Sequence, residues 1–137
     1  MKQEPTGRYG QEASPFGFDD LEVHRAACAL RRELYAVARC LPADERYIMG
    51  SQLRRAAISV TANIAEGYGR FNWQEGIQFC RQARGSLLEA VDHLNTCADE
   101  AYIGKDVQLR LRAQAADMLR LLNGFIRYLR EKKLGHD

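Results

Sequence analysis

Apolar residues recur along this chain at alternating steps of three and four. One series runs Val23, Ala27, Leu30, Leu34, Val37 and Leu41, and a second runs Met49, Leu53, Ala56, Val60 and Ile64. A third runs Cys80, Ala83, Leu87, Ala90, Leu94, Cys97 and Ala101, and a fourth Val107, Leu111, Ala115, Met118, Leu122, Phe125 and Leu129. That spacing keeps one face of an α-helix apolar and is the seam of a helical bundle. The alternation of period two expected for a half-buried strand is not found.

Start and stop signals bound the four segments. Asp19 is a candidate N-cap, with Asp20 and Glu22 in the first turn where the helix dipole favours carboxylates. Pro42 ends the first helix, because the residue before proline avoids the helical conformation. Asp44 and Asn72 are candidate caps for the second and third helices, while Gly67, Gly69 and Gly104 are candidate C-terminal stops. Gly76 falls inside the third helix, where glycine weakens helix by about 1 kcal/mol relative to alanine. The predicted helices are therefore 19–41, 44–66, 73–102 and 106–133, in one folded unit spanning 16–134. Residues 1–15 hold Pro5, Gly7, Gly10, Ser14 and Pro15 without apolar period and read as a flexible tail. Short connections force consecutive helices to run antiparallel, so the fold class is all-α, an up-down four-helix bundle.

The second helix carries more than one stripe. Gln52, Ser59, Asn63 and Glu66 form a polar row beside the apolar one, and Ser86, Glu89 and His93 repeat it at helical spacing on the third helix. Buried polar groups need partners. No nucleophile, base and orienting group stand together, so these residues are expected to form a buried hydrogen-bond network rather than a catalytic site. Ile58, Ala62 and Ala65 lie on the far side, which makes that helix apolar nearly all round. Such a helix calls for a second cover, and those three residues are the expected oligomer interface.

Charge adds a second candidate surface. The chain is nearly balanced, with 20 Lys and Arg against 18 Asp and Glu, but the fourth helix is not. From Arg110 onward it holds Arg110, Arg112, Arg120, Arg127, Arg130, Lys132 and Lys133 against Asp117 and Glu131. Arg54, Arg55, Arg70, Arg81 and Arg84 extend the set. Together these are the candidate nucleic-acid-binding residues, since phosphate backbones respond to clustered cations. Tyr68, Phe71 and Trp73 flank Arg70, and rings of this kind stack on bases in single-strand binders. The competing expectation is that Phe71 and Trp73 cover the end of the bundle.

Other chemistry is thin. His93 and Cys97 are one turn apart, with Glu89 a turn earlier, but without a second cluster no metal site is expected. The cysteines Cys28, Cys40, Cys80 and Cys97 form no CxxC pair and read as free thiols. No phosphate loop or dinucleotide fingerprint is present. No cofactor and no small-molecule substrate is expected. The longest apolar runs fall far short of a membrane span, and no apolar stretch follows Met1, so a cytoplasmic protein without membrane partners is expected.

The run Gln52-Leu53-Arg54-Arg55-Ala56-Ala57-Ile58-Ser59-Val60-Thr61-Ala62-Asn63-Ile64-Ala65-Glu66-Gly67 closely resembles the signature of the S23-like four-helix bundle family, proteins encoded by intervening sequences within bacterial 23S ribosomal RNA genes. Phe79, Ala83, Gly85, Ser86 and Glu89 resemble its second block, and Leu34-Tyr35 with Leu41-Pro42-Ala43-Asp44-Glu45 its first helix and following turn. The chain departs from the pattern at His24, where the family commonly has Trp, and at Val60, where Ile is frequent. The resemblance implies a non-enzymatic bundle that assembles with itself, typically as a ring of five, and that associates with RNA. A related branch, the accessory proteins of diversity-generating retroelements, implies reverse transcriptase and its nucleic acid as alternative partners. A third alternative is a protein-interaction scaffold that binds no nucleic acid.

Overall fold

The computed structural model describes residues 14–136. Its four helices are α1 (Glu22–Arg39), α2 (Met49–Gly69), α3 (Trp73–Asp99) and α4 (Lys105–His136). Short 3-10 turns at Phe18–Asp20 and Ala43–Glu45 precede α1 and α2. Each helix packs on two neighbours: α1 on α2, α2 on α3, α3 on α4, and α4 back on α1. The chain thus forms an up-down four-helix bundle, and among the described residues there is no strand. No described helix is long and apolar enough to cross a membrane.

The stripes meet in one core. Leu34, Leu53, Ile64, Leu87, Leu94, Leu111, Met118 and Leu122 are all sealed from solvent. Each such side chain contributes about 1.5–3 kcal/mol by leaving water. Ile126 and Tyr128 are buried beside the predicted stripe of α4. His24 is buried too. Its ring meets Phe18 edge-on at 4.9 Å, and its Nδ1 lies 3.7 Å from the Cys28 Sγ. Burial holds His24 below the ordinary histidine pKa. His24 therefore supplies an aromatic contact at the start of α1.

Helix ends differ from the sequence expectation, and the reasons are local. Leu21, not Asp19, occupies the N-cap of α1, and no side chain caps it. Asp19 and Asp20 instead take hydrogen bonds from the Ser14 hydroxyl (2.7 Å) and Ser14 backbone N–H (3.2 Å), so Ser14 is no part of a loose tail. Residues 1–13 of that expected tail lie outside the described residues. Asp44 sits in the 3-10 turn, and α2 begins later, at Met49 after an uncapped Ile48. Asn72 does cap α3, its Oδ1 accepting from the Glu75 N–H at 2.9 Å.

The glycines expected as stops do other work. Both Gly67 and Gly69 belong to α2, and the left-handed residue after the helix is Phe71, with φ 52°. Likewise α3 is closed by Ala101 (φ 61°) rather than Gly104. There Tyr102 N–H reaches Cys97 O at 2.8 Å and Ala101 N–H reaches Ala98 O at 3.0 Å, the Schellman pattern. Gly67 is buried where α2 meets α3, and a Cβ on it would lie 2.8 Å from the Phe79 Cβ. Gly76 faces it across the same contact, its Cα 3.5 Å from that position. These two glycines let the backbones close.

Gly67→Ala should therefore destabilise the bundle by about 1–3 kcal/mol, the usual range for overpacking. Gly85 is exposed in mid-helix with nothing within 4 Å of a new Cβ. Gly85→Ala should stabilise by about 0.5–1 kcal/mol. Urea unfolding midpoints of the two variants check both signs.

Candidate functional site

Hydrogen bonds divide the expected polar network into two parts. Ser59 Oγ on α2 lies 2.8 Å from Ser86 Oγ on α3, and the Asn63 amide donates to Ser59 O (2.8 Å) and Ser59 Oγ (3.0 Å). These three residues are half-buried and bridge the helices. Gln52 and Glu66 are exposed, which corrects the expectation that they are buried. The reason is angular: they sit past the edge of the helix contact. Glu66 pairs with Arg70 at 2.9 Å, and Gln52 accepts from Arg55. Glu89 is half-exposed, taking Arg55 at 2.6 Å and His93 Nε2 at 3.2 Å. The hydrogen bond from Arg55 leads in holding its carboxyl below the usual range. Every fully buried side-chain nitrogen or oxygen among the described residues has a hydrogen-bond partner.

The second cover of α2 is partly its own bundle. Ala57 and Thr61 are buried, and Thr61 Oγ1 donates to Ile58 O while accepting from Arg31 at 3.0 Å. Ala65 is half-buried. What remains open is Ile58, 46% exposed, with Ala62 a turn later.

The twelve basic residues separate by what they lean on. Arg55, Arg70, Arg110 and Arg120 are paired with Glu89, Glu66, Glu33 and Asp117, so their charge is locally cancelled. Arg54 lies over the Tyr35 ring at 5.8 Å. Arg84 and Arg112 donate instead to neutral amides: Arg84 to Asn123 Oδ1 and Arg112 to Asn95 Oδ1, both at 2.9 Å. Both bonds cross from α3 to α4, so residues 84 and 95 on one helix and 112 and 123 on the other share an outer seam. Arg81 lies one turn before Arg84. Arg127 and Arg130 lie one and two turns beyond Asn123, on the same face. Among the described residues Arg81, Arg127 and Arg130 have no carboxylate within ion-pair distance. Five arginines thus line one seam with their charge uncompensated. Asn95 and Asn123 went unseen in the sequence. Their signal, an eleven-residue step matching that between each helix's positions, has meaning only once the pairing of α3 with α4 is known.

A cavity of about 300 Å³ opens at the bundle end beyond this seam, lined by Tyr68, Phe71, Trp73, Phe125, Tyr128 and Leu129 among others. Phe71 is 88% exposed, so it does not cover the end as expected. Lys132 Nζ stands 5.6 Å from the Tyr128 ring centroid.

Cys97 is fully buried with its thiol pushed up to about 11, and Cys80 to about 12, both by burial. His93 turns instead to Glu89. Among the described residues no three His, Cys, Asp or Glu side chains come together as a metal needs.

A depressed Glu89 predicts a pH effect. Its contact with Arg55 adds stability above the ordinary carboxylate range and loses it as pH falls through the lowered pKa. Because the pair is exposed, the gain at neutral pH should be at most about 1 kcal/mol. Acid unfolding of Glu89→Gln should show a flatter limb than the parent. Superimposable limbs would mean that the pair contributes nothing.

The family described as 23S rRNA-intervening sequence protein matches residues 19–124. A solved structure of a protein of unknown function from the S23 ribosomal protein family of Bacteroides thetaiotaomicron VPI-5482 is similar in fold, with a TM-score of 0.70. The two are 18% identical, and the match covers 76% of this chain and 97% of that one. No curated protein matches the sequence.

Proposed function

The chain belongs to the 23S rRNA-intervening sequence protein family, and we propose that it is a non-enzymatic, self-associating RNA-binding bundle of the cytoplasm. The observation that carries the reading is the α3–α4 seam. Arg84 and Arg112 are held in place by Asn123 and Asn95, which orient each guanidinium without neutralising it. Arg81, Arg127 and Arg130 continue the line. Such a row offers charge-assisted hydrogen bonds to phosphates at regular helical spacing. It reads backbone rather than base identity, so binding should be salt-dependent and only weakly sequence-dependent. Arg110 and Arg120, though basic, are satisfied by carboxylates and stand outside this surface.

Self-association is the second part of the proposal. The open strip on α2, Ile58 with Ala62, is small, apolar and flanked by polar groups, as suits a contact with another copy. A ring of five would repeat the arginine seam five times and bring several of them to one RNA. Multivalent contact of this kind raises apparent affinity without any new contact type.

Filter binding of 23S ribosomal RNA fragments at varied salt tests the RNA reading. Affinity should fall linearly on logarithmic axes, and the pair of changes Arg127→Ala and Arg130→Ala should shallow the slope by about two. Arg110→Ala should leave the slope as it is. No retention of RNA at low salt sinks the reading.

Light scattering tests the assembly. The parent should be an oligomer at micromolar concentration and Ile58→Glu a monomer. A monomeric parent removes the ring, and an oligomeric Ile58→Glu moves the interface elsewhere.

A further inference from the structure

The bundle end at the α2–α3 turn combines three observations that the core does not explain. The first is the cavity of about 300 Å³, walled by rings and aliphatic groups from α2, α3 and α4. That volume is at the lower bound of small-ligand pockets, and its lining suits a flat apolar guest. The second is Phe71. It sits in the left-handed backbone region at φ 52°, which is unfavourable for a bulky side chain, yet it is 88% exposed. Its ring meets only the edge of the site, 6.2 Å from the Tyr68 centroid and tilted by 60°. Glycine would satisfy the turn at no steric cost. The third is charge. The last turns of α4, whose Tyr128 and Leu129 wall the cavity, carry Arg127, Arg130, Lys132 and Lys133 against the single carboxylate Glu131. On the opposite rim Arg70 is taken by Glu66 and Glu75, at 2.9 and 3.9 Å.

We propose that this cavity receives one unstacked base of single-stranded RNA, with the adjoining phosphates passing along the α4 rim. The inference rests on the RNA-binding reading above and gives it a strand preference. A base presents a planar face to Phe71 and Trp73, and stacking of that kind accepts any base. The asymmetry of the rims sets the path. Cations without carboxylate partners lie on the α4 side, while the α2–α3 side carries two carboxylates that repel phosphate. The arginine seam of α3 and α4 leads to the same end, so a strand held there by its backbone delivers a base to the cavity. A duplex keeps its bases stacked and paired and can use only the seam.

Trp73 is the sole tryptophan, so its emission reports on the site. Addition of a single-stranded oligoadenylate should quench it, and a duplex RNA of the same length should not. Phe71→Gly separates binding from folding, because glycine accepts the left-handed turn. Its urea midpoint should equal or exceed the parent's, while its affinity for oligoadenylate falls about tenfold more than its affinity for the duplex. If the parent binds RNA but shows no quenching, and Phe71→Gly binds oligoadenylate like the parent, the cavity is no base site and the seam reading stands. If neither RNA binds at low salt, the seam reading fails and this inference falls with it. Emission that responds to protein concentration and not to RNA would assign the cavity to a second copy of the chain and overturn the proposal.

Discussion

The close approach of α2 and α3 is the constraint on which the rest of this bundle depends. Gly67 meets Phe79 where no Cβ fits, Gly76 lies opposite, and Ser59 and Ser86 share a hydrogen bond further along. Small residues bring two backbones together, and the serine pair then allows one register, because a shift of either helix leaves half-buried hydroxyls unpaired. That register decides which side chains reach the outer faces. Arg55 meets Glu89 across the same contact. The position of α4 follows in turn, since α4 rests on α3.

Two kinds of surface result from one composition. Where α2 meets α3, and where α4 meets α1, arginines find glutamates and their fields cancel within a few ångströms. Along the α3–α4 seam the facing residues are asparagines. An amide oxygen also holds a guanidinium by a hydrogen bond, but it leaves the positive charge in place. The chain's small net charge conceals this difference, because the sum over all residues says nothing of which pairs touch.

Strain and exposure coincide at one end of the molecule. Phe71 and Ala101 hold equivalent left-handed positions after α2 and α3. Ala101 completes a Schellman closure and presents little side chain. Phe71 places a large ring in solvent at the mouth of a cavity. The same backbone geometry therefore closes a helix in one case and leaves a large ring exposed in the other. Residual aromatic packing at Tyr68, with Gly17 at φ 63° pressed against it, anchors the chain entering α1 to this end.

Periodicity in the sequence was enough for the four helices, their order and nearly all of the core, because steps of three and four dictate a face whatever the neighbour. The family block and the Asn72 cap were also legible, each being a local pattern. Glycines misled: Gly67 reads as a helix stop by local propensity, yet it continues α2 because α3 needs the space of its missing Cβ. Gln52 and Glu66 share a wheel stripe with Ser59 and Asn63 but miss the helix contact, and no wheel shows where a neighbour ends. Twelve of the chain's 20 Lys and Arg could be singled out as candidate contacts. Which of them face a carboxylate, which an asparagine, and which border an open cavity depends on contacts between residues dozens of positions apart, and those are set by packing.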